Sequence, residues 1–255
     1  MNQFLNQIDD RITRAQQFQY PEFTDFLDLH QLSLYRNTYK TITTDIIALE
    51  SKVFADDERR MLGFFPKTFL EYMDTNILEL FPVCVIQVRM FDTAQILFNH
   101  RDLLGALLAQ GIDRRLLGDM LFNDSSAFFA CHERIHQMLL DDLILIGSHR
   151  VTCSLFKDWD YLATLRPKTK ATSTTIPSLR LDNVLKAMLN ISRADCQQYI
   201  LRGMVRVNQE EVTKRHFIIN EKDIISVRGR GKYKVETIGN ASKKGRIWIT
   251  TLQYI

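Results

Sequence analysis

The chain has 255 residues, of which 45% are hydrophobic and 25% charged, with a formal net charge of +3. That length supports more than one hydrophobic core, and the balance excludes a disordered or fibrous chain. The small net charge hides an asymmetry: residues 172–255 hold 15 basic and 7 acidic side chains, net +8, whereas residues 1–171 hold 18 and 23, net −5. A basic C-terminal part on a mildly acidic body is the electrostatic footprint of localised nucleic-acid binding. Cys84, Cys131, Cys153 and Cys196 are scattered without a C-x-x-C pair, which fits reduced thiols in a cytoplasmic protein better than disulfides or zinc ligands. No apolar run approaches a membrane span, and Met1-Asn2-Gln3-Phe4 does not open a signal peptide.

In chain order, Phe4, Leu5, Ile8, Ile12 and Ala15 recur at helical spacing until Pro21 interrupts. A second helix is expected over Leu29, Leu32 and Tyr35, with Thr24 or Asp25 as its cap. The β-branched run Thr41–Leu49 reads as a strand, and 56–64 as charged turn residues. From residue 78 the pattern alternates. Val83–Val88 is a strand, Arg101–Leu108 a helix closing at Gly111, and Leu117–Phe122 with Ala127–Ala130 a hairpin about Asn123-Asp124. Glu133–Leu143 is a second helix and Arg150–Phe156 a last strand, giving β-α-β-β-α-β, a ferredoxin-like or RRM-like arrangement. The aromatic signature of an RNA-recognition motif is missing from it. His100-Arg101-Asp102 matches a kinase triplet, but no Gly-rich loop or Asp-Phe-Gly accompanies it; Asn99 or His100 is expected to start a helix, with Arg101 and Asp102 paired locally. Residues 166–177, rich in Thr, Ser and Lys and bounded by Pro167 and Pro177, read as a mobile linker.

The C-terminal part carries the most informative pattern. Leu179, Leu181, Val184, Leu185, Met188 and Leu189 have the spacing of a one-sided helix. Ser192 and Asp195 form a helix start, and the helix through Cys196–Leu201 stops at Gly203. Val205–Asn208 and Asp223–Arg228 alternate like strands, and Ile247–Leu252 is a final strand with Trp248 expected to pack. Arg180 precedes one helix and Arg193 sits in the first turn of the next, so both guanidiniums can reach a phosphate that also feels a helix N-terminus.

The run Arg180-Leu181-Asp182, Ser192-Arg193, Gly203–Asn208 and Asp223–Arg228 resembles the alpha-L RNA-binding motif of the ribosomal protein S-four type. Over nearly its whole length the chain resembles the YlmH family of bacterial RNA-binding proteins, through Phe23–Asp28, Phe98–Leu107, Gly111-Ile112, Leu117-Gly118-Asp119 and Gly229–Tyr233. The resemblance implies RNA contacts by Arg180, Asp182, Lys186, Ser192, Arg193, Gln197, Arg202, Lys214, Arg228, Arg230 and Lys232, with Asp182 better suited to orienting an arginine than to meeting phosphate. It further implies a cytoplasmic, non-enzymatic protein without cofactor. Such a protein binds ribosomal and transfer RNA on the large ribosomal subunit with stalled peptidyl-tRNA, in ribosome-associated quality control. A quality-control factor or a division protein is the implied protein partner, through a looser link to cell division.

The expected architecture is α+β and multidomain: an α-rich N-terminal domain (1–75), the ferredoxin-like/RRM-like middle domain (76–165), the linker (166–177) and the alpha-L helix-turn-helix with a small β-sheet (178–255). Three rival functions are weaker. His132-Glu133-Arg134-Ile135-His136 is a literal H-E-x-x-H, but no third zinc ligand follows at a recognisable spacing, and two half-exposed helix histidines are expected instead. An RNA-modifying enzyme would need a catalytic Asp motif or a nucleotide loop, and neither is evident. A division scaffold would tolerate changes at Arg180 and Arg193.

Overall fold

The computed structural model of the chain describes residues 2–39, 45–71, 73, 76–242 and 245–254. It divides into two compact units, Met1–Arg166 and Pro167–Ile255.

The first unit is built in layers. Its amphipathic helix α1 (Asn2–Phe18) presents Ile8, Ile12 and Ala15 at helical spacing. Together with α2 (Leu29–Thr38) it packs on a three-stranded antiparallel sheet ordered β1 (Glu22–Phe23), β3 (Leu62–Pro66), β2 (Ile46–Glu50). The cap of α2 is Asp28, which forms a capping box with Gln31. Thr24, one of the expected caps, is instead buried, its hydroxyl accepting from the Leu62 amide at 2.9 Å. The strand expected over Thr41–Leu49 begins at Ile46; Thr41–Thr44 lie outside the described residues. Residues 62–66, part of a stretch that sequence reading leaves as turns, form the central strand β3. Its alternation sends Leu62 and Phe64 toward the helices and Phe65 to the opposite face.

That opposite face meets a second antiparallel sheet, ordered β5 (Leu117–Phe122), β6 (Ala127–His132), β4 (Val83–Met90), β8 (His149–Phe156), β7 (Leu145–Ile146). Short helices α3 (Lys67–Leu70) and α6 (Trp159–Thr164) flank this sheet in the chain; α4 (His100–Ala109) and α5 (Glu133–Asp142) complete the expected β-α-β-β-α-β order, and the fold is the mixed α+β one. Asn99 caps α4, and Asp102 reaches back to the Asn99 amide rather than pairing with Arg101. On β4, Ile86 and Val88 face the helices with Leu103, Leu107 and Leu139. Val83 and Val85 face the N-terminal layer with Phe26, Phe54, Phe65 and Phe128. Each such buried aromatic contributes roughly 2–3 kcal/mol. Phe26 lies so close to β5 that a Cβ at Gly118 would sit 2.7 Å from its ring. Asp119 ties the layers further, accepting from the Glu58 and Arg59 amides at 2.6 and 2.9 Å, while Arg59 donates to the Leu117 and Phe26 carbonyls. The helices cover one face of the RRM-like sheet and the N-terminal layer covers the β5–β6–β4 side of the other, while Arg89, Thr152 and Ser154 toward β8 stay exposed; residues 1–75 and 76–165 contribute to one unit.

The second unit has a six-stranded antiparallel sheet ordered β11 (Glu210–Glu211), β10 (Val205–Val207), β12 (Ile224–Val227), β13 (Gly231–Ala241), β14 (Ile247–Tyr254), β9 (Thr169–Ile176). The expected linker is thus largely strand: all eight residues of β9 pair in register with β14. Its threonines and Ile176 are β-branched and fit a pleated surface, a preference that the Ser/Thr/Lys composition concealed. Helices α7 (Leu181–Leu189) and α8 (Arg193–Leu201) bury Leu181, Val184, Leu185, Cys196 and Ile200 against Val205, Val207, Ile225, Val227 and Val235 of the sheet.

Candidate nucleic-acid interface

The turn between α7 and α8 is fixed by local chemistry. Asn190 ends α7 in the left-handed conformation (φ 51°, ψ 46°), which asparagine tolerates better than most residues. Ser192 then caps α8, accepting from the Asp195 amide at 3.1 Å and donating to its carboxylate at 2.7 Å. At its far end α8 closes with Gly203 (φ 65°): the Gly203 amide donates to Ile200 O and the Met204 amide to Tyr199 O, the two bonds of a Schellman cap.

This framework places Arg180 and Arg193 around one carboxylate. Asp182 is 0% exposed; Arg180 grips it with Nε at 3.1 Å and Nη2 at 2.8 Å, and Arg193 Nη2 reaches the same group at 3.4 Å. The Arg180 and Arg193 side chains are 31% and 58% exposed. Burial alone would raise the Asp182 carboxyl, but the hydrogen bond and charge of Arg180, then those of Arg193, outweigh it and hold its pKa below the usual carboxylate value. One ionised, buried carboxylate therefore orients two arginines and leaves the group net positive. Asp182 is enclosed by the two arginines, the arginine-orienting place that its position in the sequence suggests.

The segment after β11 is stitched to the same place. The Leu181 amide donates to Phe217 O at 2.8 Å, the Asp182 amide to Arg215 O at 3.4 Å and the Ile219 amide to Leu179 O at 2.9 Å. Lys214 and Arg215 are thereby brought to the start of α7, and Lys214 shares a groove of about 540 Å³ with Gln197, Leu201 and Phe217. Arg202 and Arg230 meet in a second groove of about 450 Å³ on another side of α8, with Tyr199 and Gln198. There Arg230 Nε donates to the Tyr199 hydroxyl at 2.9 Å, and its guanidinium carbon lies 5.8 Å from the ring centroid. Lys186 is exposed on α7, Arg228 is exposed just past β12 with its amide on Met204 O, and Lys232 on β13 holds its ammonium 4.8 Å from the Tyr254 ring centroid. Sequence reading missed Tyr199 and Arg206. The latter alternates with buried Val205 and Val207, a period-two signal that marks it as outward-facing.

The H-E-x-x-H stretch takes another form. His132 ends β6 and caps α5, its Nδ1 accepting from the Arg134 amide at 3.2 Å. Burial first, and Arg134 second, push its pKa down. His136 alone lies within the helix, with Nδ1 on the Glu133 carbonyl. The two rings are therefore not presented from successive turns of one helix as the zinc motif requires, and no group of three metal-ligating side chains comes together among the described residues.

Parts of the chain match known families. The S4 domain matches residues 179–225, and residues 78–158 match a family described as "Putative RNA-binding domain in YlmH". The chain is 28% identical over 232 residues, 91% of its length and 86% of the relative's, to the ribosome-associated protein quality control protein P2 of Bacillus subtilis (strain 168). Its fold is similar to the solved structure of the cell division protein ylmH from Streptococcus pneumoniae. That similarity has a TM-score of 0.50 at 19% identity and covers 63% of this chain and 93% of the other.

Proposed function

We propose that this chain, which carries an S4 domain together with a YlmH-type RNA-binding domain, is a non-catalytic cytoplasmic factor that binds structured ribosomal and transfer RNA on the large ribosomal subunit. The observation that carries the reading is the Asp182-centred pair: two arginines pre-set by one buried carboxylate at the helix starts, with Lys214 and Arg215 pinned alongside. A planar guanidinium held by one edge offers its remaining N–H groups to phosphate with little entropy left to lose. Contacts of this kind follow the shape and backbone of structured RNA and carry little sequence information. The name of the 28% identical relative supports a place in ribosome-associated quality control. There the chain would steady peptidyl-tRNA on a separated subunit while the nascent chain is extended or released. An effect on cell division, the role named for the pneumococcal neighbour, would follow from that ribosomal work.

Any RNA contact by the middle domain is made from its helices, loops and edges or from the exposed β8 side of its sheet, where Arg89, Thr152 and Ser154 face outward. The test is binding of purified protein to purified large subunits with and without peptidyl-tRNA. The proposal expects preference for the tRNA-bearing particle and loss of binding on changing Arg180 and Arg193 together to Ala. Equal binding to small subunits, or indifference to the double change, would overturn it.

A further inference from the structure

In the second unit α7 and α8 cover one face of the sheet; the other face has a composition of its own. β14 alternates through its middle, with Ile249 and Thr251 buried, and its register puts Trp248, Thr250, Leu252 and Tyr254 on the face away from the helices. Trp248, expected to pack, is 50% exposed. Its neighbours are small: it pairs with Thr175, and a Cβ added at Gly239 would lie 3.3 Å from the Trp248 Cβ, so the indole stands on a low surface. Arg246 donates from Nε to the Thr175 hydroxyl at 3.0 Å and from Nη2 to the Thr175 carbonyl, anchoring a guanidinium at the residue that pairs with Trp248. Six residues along the strand, about 20 Å, is Tyr254, with the Lys232 ammonium 4.8 Å from its ring centroid. Arg206 lies in the same cross-strand row as Lys232, through Ser226, and Lys234 is two residues further along β13. Glu211, opposite Arg206, and Glu236, bridged by Lys222 and Lys234, are the carboxylates that border these cations.

We propose that this face is a second, separate binding site for single-stranded RNA. Bases stack on Trp248 and Tyr254, and Arg246, Lys232 and Lys234 meet the phosphates between them. Two aromatic rings set apart on a low, hydroxyl-bearing strand surface (the Ser173 and Thr250 hydroxyls are 2.9 Å apart) suit a run of several nucleotides, since every base offers a π-face. A protein partner would call for a continuous apolar patch, and the threonines, serine and cations interrupt any such patch here. The site is distinct from the Arg180–Arg193 surface, so the two respond to different changes.

The chain has two tryptophans, so Trp159→Phe in the full chain leaves Trp248 as the sole indole reporter. Titration with oligouridylate is expected to quench Trp248 fluorescence. Trp248→Ala, followed by anisotropy of labelled oligouridylate, is expected to weaken binding about tenfold, and Lys232→Gln several-fold. Arg193→Ala should leave oligouridylate binding unchanged while weakening a structured RNA, and Trp248→Ala should do the reverse. Absence of quenching, or oligouridylate binding indifferent to both Trp248→Ala and Lys232→Gln, overturns the proposal. The structured-RNA arm reports independently on the Arg180–Arg193 surface.

Discussion

Replacing Asp182 by Asn separates orientation from charge. The substitution keeps the side-chain volume, removes the negative charge and replaces one acceptor oxygen with a donor facing the arginines. Breaking a fully buried ion pair costs about 3–5 kcal/mol, but here Arg180 and Arg193 are 31% and 58% exposed and can be rehydrated. We therefore expect about 2–3 kcal/mol of lost stability in the second unit, a fall in Tm of roughly 10–15 °C for a unit of this size. Charge alone gives the opposite sign for RNA binding: the variant gains one net positive charge, which would tighten binding and steepen its salt dependence. Orientation predicts weakening, because each released arginine regains part of about 2 kcal/mol of rotamer freedom. Shared over two side chains, that raises Kd for a structured RNA by roughly 10–100-fold. The assay is fluorescence anisotropy at a temperature where circular dichroism shows the variant folded, repeated across a salt series. A folded Asp182→Asn protein that binds as tightly as the parent, or more tightly, would refute the reasoning.

Asp57 gives a pH test. Burial first, and the charge of Asp119 second, push its pKa up to about 7, against the Phe54 and Val53 amides and Arg60, which lower it. The folded state then holds a proton that the unfolded chain releases between about pH 4 and 7. Stability is full below that window and falls as pH rises through it, by at most roughly 4 kcal/mol; Asp57→Asn should flatten the melting temperature of the first unit between pH 5 and 8. Gly203→Ala forces a Cβ into a φ of 65° and to 2.5 Å from the flexible Glu211 carboxylate, so a loss of about 1–2 kcal/mol is expected in chemical denaturation. The division at residue 167 is tested with fragments: 167–255 should unfold cooperatively, whereas 178–255, deprived of β9, should melt lower or aggregate through the exposed edge of β14.

Much of this was legible in the chain because local signals and tertiary outcome agree. Ser192, Asp195 and Gly203 mark both ends of α8 by their own chemistry, and the short apolar, β-branched runs at 83–88 and 150–156 place two strands of the second sheet. Where propensity is weak or pairing is long-range, the sequence misleads. Thr169–Ile176 resembles a linker by composition and becomes a strand only because β14, more than seventy residues later, pairs with it. Leu62–Pro66 is hydrophobic on both faces and so lacks the alternation of a half-buried strand. In the candidate interface, Arg180 and Arg193 are identifiable from their places at helix starts, yet their common carboxylate is apparent only once α7 and α8 are packed. The pairing of Arg230 with Tyr199 crosses 31 positions and leaves no periodic trace.

The most direct measurement is sedimentation of tagged protein with ribosomal particles, comparing the parent with Arg193→Ala and with His132→Ala. Co-migration with large subunits that is lost for Arg193→Ala and kept for His132→Ala is the predicted result. Co-migration lost only for His132→Ala, or no co-migration at all, would contradict the account.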